Sequence, residues 1–322
     1  MTAEKLYELA CDTYVRGLCA PDSEKYEEEA LELMRAAAAA GHFRAQWNLA
    51  EHFGIFGKTK KEQAEALRWY ESAAELHGSS VAMYEAGSRY YSGIGVRRQV
   101  KKGLYWLERA AERGVGEAIV TVGFHYAFGR SSKKLQKKGF EALNRVNTQE
   151  VTYLYEDSTP GELYDLLGDC YRYGKGTEVD EKKAFEFYQA AVDEGRLISR
   201  VELGKCYEDG VGVAQNFELA IYNYELISDF CTEAQYRLGL CYLDGRGVPK
   251  DEAEGVRWLT EAADELWGDA MYALALCYLD GRGVEKDEAE GVRRMRTAFD
   301  EGCCIEAYLY LNKILPEEYP LS

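Results

Sequence analysis

Residues 241–248 read CYLDGRGV, and residues 277–284 read the same eight letters. DEAEGVR follows both copies at the same offset, at 251–257 and 287–293. Two identical blocks in constant register, 36 residues apart, are a tandem repeat. A period of 20 to 50 residues marks a solenoid, in which each unit buries its apolar face only by stacking on its neighbours.

The repeat can be traced outward from those copies. Each unit opens with a small or apolar residue, at 45, 82, 118, 163, 199, 234 and 270, with a last partial copy at Ala307. Five positions on stands a second small residue, as in Gly87, Gly168, Gly204 and Gly239. Eight positions on stands an aromatic ring, from Phe53 and Tyr90 through to Tyr278. Twenty-one positions on comes a further small residue in all seven full units, such as Ala66, Gly103 and Gly255. Successive units start 37, 36, 45, 36, 35, 36 and 37 residues apart, so geometry is fixed within a unit and looser between units. A degenerate first unit fits Leu6, Ala10, Cys11, Tyr14 and Ala30.

Offsets 0, 4, 7 and 8 are apolar or small, which is helical spacing. Five units then carry Gly-x-Gly, for example Gly245 and Gly247. Glycine tolerates positive φ, so this pair ends one helix and turns the chain. Asp180, Asn216, Asp251 and Asp287 stand where an N-cap is wanted, and Asp251 with Glu254 and Asp287 with Glu290 have the spacing of a capping box. The pattern predicts an all-α right-handed α/α superhelix of about eight helix–turn–helix repeats plus a C-terminal helix. The expected units are about 6–43, 45–81, 82–117, 118–162, 163–198, 199–233, 234–269 and 270–306, with the terminal helix at 307–315, all in one elongated domain over 1–322.

The pattern Ala-x3-Leu-Gly-x2-Tyr-x2-Gly-x-Gly-Val, then Lys-Ala-x2-Trp/Tyr-Tyr-x2-Ala-Ala, resembles the Sel-one-like repeat, a relative of the tetratricopeptide repeat. Residues 234–269 match it most fully, and the resemblance runs from about residue 4 to 315. Units one, two and four depart from it: Phe56 and Lys58 replace the paired glycines of unit two, and Gly129-Arg130-Ser131 keeps one. The resemblance implies an adaptor that holds proteins together and names no particular partner.

Composition narrows the class further. Five prolines and 47% hydrophobic residues suit a folded helical chain. No run of 18 apolar residues is present and the N-terminus lacks a signal-peptide pattern, so a cytoplasmic protein is expected, secreted only if a signal has been removed. Of nine cysteines, Cys170, Cys206, Cys241 and Cys277 share offset 7. Helix axes pack about 8–10 Å apart, whereas a disulfide needs Cα atoms within about 7 Å. These four therefore read as small buried hydrophobes. Net charge is −17, yet residues 44–145 hold 18 basic and 10 acidic side chains while residues 146–322 hold 17 and 37. Much of the basic charge falls in the turns of three adjacent units: Lys58, Lys60 and Lys61; Arg97, Arg98, Lys101 and Lys102; Lys133, Lys134, Lys137 and Lys138. They are either solubilising loops or a ridge for an acidic partner, and nucleic acid is disfavoured because the acidic remainder would repel phosphates.

The face opposite the core stripe carries the functional signal. Offsets 2, 6 and 9 of each first helix point away from offsets 0, 4, 7 and 8, and an amphipathic helix ought to be polar there. Unit five obeys with Asp165, Asp169 and Arg172, and unit six nearly does with Val201, Lys205 and Glu208. The flanking units instead carry Trp47, Tyr84, Tyr91, Val120 and Phe124, then Tyr236, Leu240, Leu243, Tyr272, Leu276 and Leu279. Apolar groups on both sides of a helix are buried on both sides or form a binding surface. Trp47, Tyr84, Tyr91, Phe124, Arg172, Tyr236 and Tyr272 are the candidate partner-binding residues, lining a concave groove in tetratricopeptide-like stacks. The last helix and Tyr319-Pro320-Leu321 offer an alternative cover for the rings of units seven and eight. The extra residues near 151–159 are either a plain loop or a bend that brings Tyr153 and Tyr155 to the groove.

Catalytic patterns are weak. Ser131 and Lys134 form a Ser-x-x-Lys, but the enzymes that use it need strand-borne partners. The four histidines have no ligand at metal spacing, Cys303-Cys304 forms no zinc pattern, and no Gly-x-Gly is followed by Gly-Lys-Ser/Thr. The expected function is a noncatalytic, monomeric scaffold for a protein or peptide ligand, without cofactor, metal, nucleic acid or membrane insertion. The alternative is a cell-wall or β-lactam hydrolase of the type attributed to secreted relatives.

Overall fold

The computed structural model describes residues 1–18, 22–147, 160–302 and 304–319, and among them are seventeen α-helices and no strand. They fall into two compact units: Met1–Pro160 with Lys175–Thr177, and Gly161–Gly174 with Glu178–Ser322. The first holds the hairpins α1 (Ala3–Gly17) with α2 (Ser23–Ala39), α3 (Phe43–Ile55) with α4 (Lys60–His77), α5 (Ser80–Ser92) with α6 (Val100–Glu112), and α7 (Gly116–Phe128) with α8 (Lys133–Leu143). The second holds α9 (Gly161–Tyr173) with α10 (Glu181–Asp193), α11 (Arg200–Asp209) with α12 (Phe217–Glu225), α13 (Thr232–Asp244) with α14 (Glu252–Asp264), α15 (Gly268–Asp280) with α16 (Glu288–Asp300), and the last helix α17 (Ile305–Ile314). This is an all-α array of eight helix hairpins and a terminal helix. Residues 151–159, including Tyr153 and Tyr155, lie outside the described residues.

Small residues let the two helices of a hairpin close on each other. A Cβ on Gly204 would lie 2.2 Å from Cε1 of Tyr224, and one on Gly168 would lie 2.5 Å from Cε1 of Tyr188. Offset 5 is small because the side chain at offset 25 of the second helix occupies its space. In the third, fourth and seventh hairpins that side chain is Leu107, Leu143 or Leu259. Each is fully buried, contributing about 1.5–3 kcal/mol against exposure. The cysteine ladder sits in the same core: Cys170, Cys206, Cys241 and Cys277 are all buried, and burial pushes the last three thiols up to about 11.

Stacking between hairpins rests on the turns. Gly247 holds φ +74°, and a Cβ there would meet the backbone carbon of Phe217 on the preceding hairpin at 2.7 Å. Only glycine fits both demands, a left-handed backbone and a close approach to the neighbouring main chain. The next helix is then capped as expected: Asp180, Asn216, Asp251 and Asp287 accept from backbone N–H groups at 3.0–3.1 Å. The expected capping boxes at Asp251 and Asp287 are only half made. The carboxylate of Glu254 is taken by Arg257, and that of Glu290 by Arg293 and Arg294, because charge-assisted bonds outcompete the neutral N-cap amide. A reciprocal box forms instead at Thr59 and Glu62, where Glu62 has no arginine beside it in the helix.

Candidate interaction face of the first helices

The ring residues of the first unit sit on α3, α5 and α7. Trp47 is half-buried, offset-stacked on Phe43 at 6.4 Å and edge-on to Tyr70 at 5.7 Å. Tyr84 is half-buried on α5. Tyr91, the penultimate residue of α5, shares a hydrogen bond with Nδ1 of His125 on α7 at 3.1 Å, and the guanidinium of Arg98 lies 5.6 Å from its ring centre. Phe124, one residue before that histidine, is 54% exposed and stacks on Phe128 at 5.7 Å. The structure therefore gathers Tyr91, His125, Phe124 and Phe128 at the C-terminal ends of α5 and α7. His125 and Phe128 escaped the sequence reading because they lie at offsets 7 and 10, outside the face inferred from 100° per residue.

Offset 9 does not face outward throughout. Leu243 is buried, and its side chain occupies the space a Cβ on Gly255 would need; Leu279 does the same at Gly291. Both leucines fill the hairpin interior, because helices crossing at close range share a residue between the core stripe and the outer face.

In the second unit the same face is used differently. Arg172 lies against Glu202 at 3.3 Å and Asp209 at 3.6 Å, with only 13% of its side chain exposed. Lys205 joins Glu202 at 2.5 Å and Glu233 at 3.1 Å, and Arg237 joins Glu233 at 3.4 Å and Glu208 at 3.0 Å. Arg246 also reaches Glu208, at 3.0 Å. Two buried phenols bond carboxylates of the same face, one of them the Glu208 of this ladder. Tyr188 donates to Asp169 at 2.7 Å and Tyr224 donates to Glu208 at 2.8 Å, and burial pushes both phenol pKa values far up. A buried hydroxyl needs an acceptor. Burial, opposed by the Tyr188 bond and reinforced by Glu202 and Asp165, raises the Asp169 carboxyl to about 6.

Tyr236 and Tyr272 are half-buried and pack on the C-terminal core cluster together with Leu276, Leu279, Tyr310 and Tyr319. Tyr319 lies edge-on to Phe299 at 5.9 Å, and its carbonyl accepts from Asn312 at 2.5 Å. Pro320 and Leu321 lie outside the described residues.

Chemistry is sparse elsewhere. Ser131 precedes α8, and Lys134 is exposed in its first turn. Asp269, Cys304 and Glu306 place ligand atoms within 4.8 Å of one another at the starts of α15 and α17. Burial and the Glu306 hydrogen bond hold the Cys304 thiol up, away from the thiolate a metal prefers, and both carboxylates already complement helix N-termini. The described cysteines 11, 170, 206, 231, 241, 277 and 304 are free, while Cys19 and Cys303 lie outside the described residues.

A family profile described as Sel1 repeat matches residues 4–42, 43–77, 80–115, 164–195, 198–229, 232–265 and 268–301. The chain belongs to the Sel1 repeat family. The unmatched stretch contains α7 and α8, a hairpin folded like the others although its turn keeps a single glycine, Gly129. Among Sel1 relatives, the chain is 28% identical over 252 residues to chitin synthase regulator SKT5 of Saccharomyces cerevisiae, taking in 74% of this chain and 35% of that protein. It is 26% identical over 187 residues to protein sel-1 homolog 2 of Rattus norvegicus, taking in 57% of this chain and 24% of that one. The chain thus spans about a quarter to a third of the curated relatives it matches. A crystal structure of a Sel1 repeat protein from Oxalobacter formigenes superposes with TM-score 0.72 at 25% identity, over 97% of this chain and 86% of that one. The uropathogenic Escherichia coli antigen c5321 shares the fold, with TM-score 0.68 at 22% identity over 98% and 65%. No described helix is long and apolar enough to cross a membrane.

Proposed function

We propose that this Sel1 repeat chain is a noncatalytic adaptor, monomeric and cytoplasmic, that holds a peptide segment of a protein partner against the rings of its first unit. Trp47, Tyr84, Tyr91 and Phe124 form the contact face. The observation that carries the reading is Phe124, more than half exposed beside an ordered Tyr91–His125 pair. A rigid exposed ring offers contact area at little entropic loss. In the second unit the equivalent positions have other employment, Arg172 in ion pairs and Tyr236 and Tyr272 on the core, so they support the array and not the capture. The names of the relatives, regulators of chitin synthase, favour a regulatory binding role over an enzymatic one. Affinity capture with the wild-type chain and with Phe124→Ala, read by mass spectrometry beside thermal melts, tests the proposal. A partner lost in the variant at unchanged melting temperature supports it. Retention of every captured protein by Phe124→Ala removes the ring face from the function.

A further inference from the structure

Two helix starts in the first unit, those of α6 and α8, break a local electrostatic rule. The N-terminal end of a helix carries partial positive charge and favours acidic side chains. In the second unit α10, α12, α14 and α16 comply, each with glutamate in its first turn. In the first unit α6 and α8 have no acidic residue there, while α4 complies with Glu62 but sets Lys60 and Lys61 beside it. Their first turns and the turn before them carry exposed Lys60, Lys61, Arg97, Lys101, Lys133 and Lys134. Among the described residues none of these six has a carboxylate within ion-pair distance. Only their neighbours Lys102, Lys137 and Lys138 do, on Glu71, Glu141 and Glu108.

Two of these helix starts are brought together by direct contact. A Cβ on Gly95 would touch the backbone of Gln63 and Ala64, so the turn of the third hairpin rests on the first turn of α4. Large apolar side chains are exposed in or beside each turn: Ile55 and Phe56, both at 69%, Ile94 at 44%, and Leu135 at 37% in the first turn of α8. A row of unpaired cations at the positive ends of helices works against stability, and a broken local rule without compensation inside the fold marks a site used for something else.

We propose that these basic turns dock an acidic polypeptide segment with apolar side chains interspersed among its carboxylates. Charge complementarity selects the acid, and the exposed apolar side chains select the interspersed ones. An extended anionic surface, whether membrane or nucleic acid, would face the whole chain at −17, whereas a single segment meets only charges within about 8–10 Å. The inference rests on the adaptor reading but not on the ring face, which is on different helices.

The probe is a fluorescein-labelled peptide of four Glu-Glu-Leu repeats, followed by anisotropy. The variant reverses all six cations: Lys60→Glu, Lys61→Glu, Arg97→Glu, Lys101→Glu, Lys133→Glu and Lys134→Glu. Wild type should bind the peptide, and affinity should drop at least about tenfold between low and moderate salt, as expected for exposed charge pairs. The variant should lose at least about tenfold in affinity while its melting temperature stays level or rises, because glutamate suits a helix start. Phe124→Ala should bind the peptide normally, so a failed ring face and failed basic turns give different results. Absent binding, equal binding by the six-site variant, or tighter binding to phosphatidylserine vesicles or single-stranded DNA would overturn the inference.

Discussion

Replacing Asp169 by asparagine should stabilise this protein at neutral pH, the reverse of what removing a hydrogen-bonded carboxylate usually does. Asp169 is half-buried on α9, accepts from Tyr188, and stands near Glu202 and Asp165. Its carboxyl is raised from 3.8 to about 6. At 1.36 kcal/mol per unit the charged form opposes folding by about 3 kcal/mol, and solvent reaching the half-buried group reduces this to about 1–2 kcal/mol. The folded chain holds the proton more tightly than the unfolded chain. That contribution is therefore fully present below pH 3.8 and is lost as pH rises through about 6. Asparagine keeps an oxygen for the Tyr188 hydroxyl and removes the charge.

Thermal melts followed by circular dichroism across pH 4 to 7.5, for wild type and Asp169→Asn, give the difference directly. It should be near zero at the acid end and reach a plateau above pH 6.5, with the variant melting higher by on the order of 2–5 °C. Subtracting the curves removes every other carboxylate that titrates in the window. A variant that melts lower at pH 7.5, or a difference that does not change between pH 4 and 6.5, refutes the reasoning. The first result would mean that the charge is stabilised by Lys205 more than burial opposes it.

Two further predictions test the scaffold. Gly247→Ala combines a left-handed φ with a 2.7 Å approach to Phe217 and should cost about 1–3 kcal/mol, whereas Gly41→Ala, at φ +86° with nothing within 4 Å, should cost only about 1 kcal/mol. Equal melting temperatures for the two variants would remove the close approach as a constraint. Cys170, Cys206, Cys241 and Cys277 should resist a thiol reagent in the native protein and react once urea unfolds it, since they are buried. Rapid native labelling of any of the four, mapped by mass spectrometry, would contradict their packing.

The hairpin plan was legible because the residues that build it recur by necessity. Offset 5 must be small wherever offset 25 is bulky, and the second turn glycine must admit a neighbouring backbone, so both recur along the chain and advertise the period. The capping boxes misled because the sequence places Glu254 correctly but does not say that Arg257 competes for it. The polar stretch in units five and six was visible but unexplained. Two of its carboxylates, Asp169 and Glu208, accept from the buried tyrosines Tyr188 and Tyr224 at offset 25, a position that Tyr70 also fills in unit two.

The outer face was harder to read, for a physical reason. A helical wheel assigns a side chain to a direction, while burial depends on what stands in that direction. Phe124 and Tyr236 both lie outside the core stripe of their helices. The first projects beside Phe128 with more than half of its surface open, and the second packs on a cluster that includes residues from α17 and Tyr319. Their different fates are set by the core cluster, drawn from several later helices, that Tyr236 packs against and that Phe124 does not share. Periodicity within α7 and α13 carries no information about that. The basic turns differ in kind: their signal is a misfit with the local helix dipole, which the sequence states residue by residue. The charge at Lys60, Arg97 and Lys133 is therefore open to a sharper test than the rings, because reversing it removes a cost to folding and leaves binding as the property that must fail.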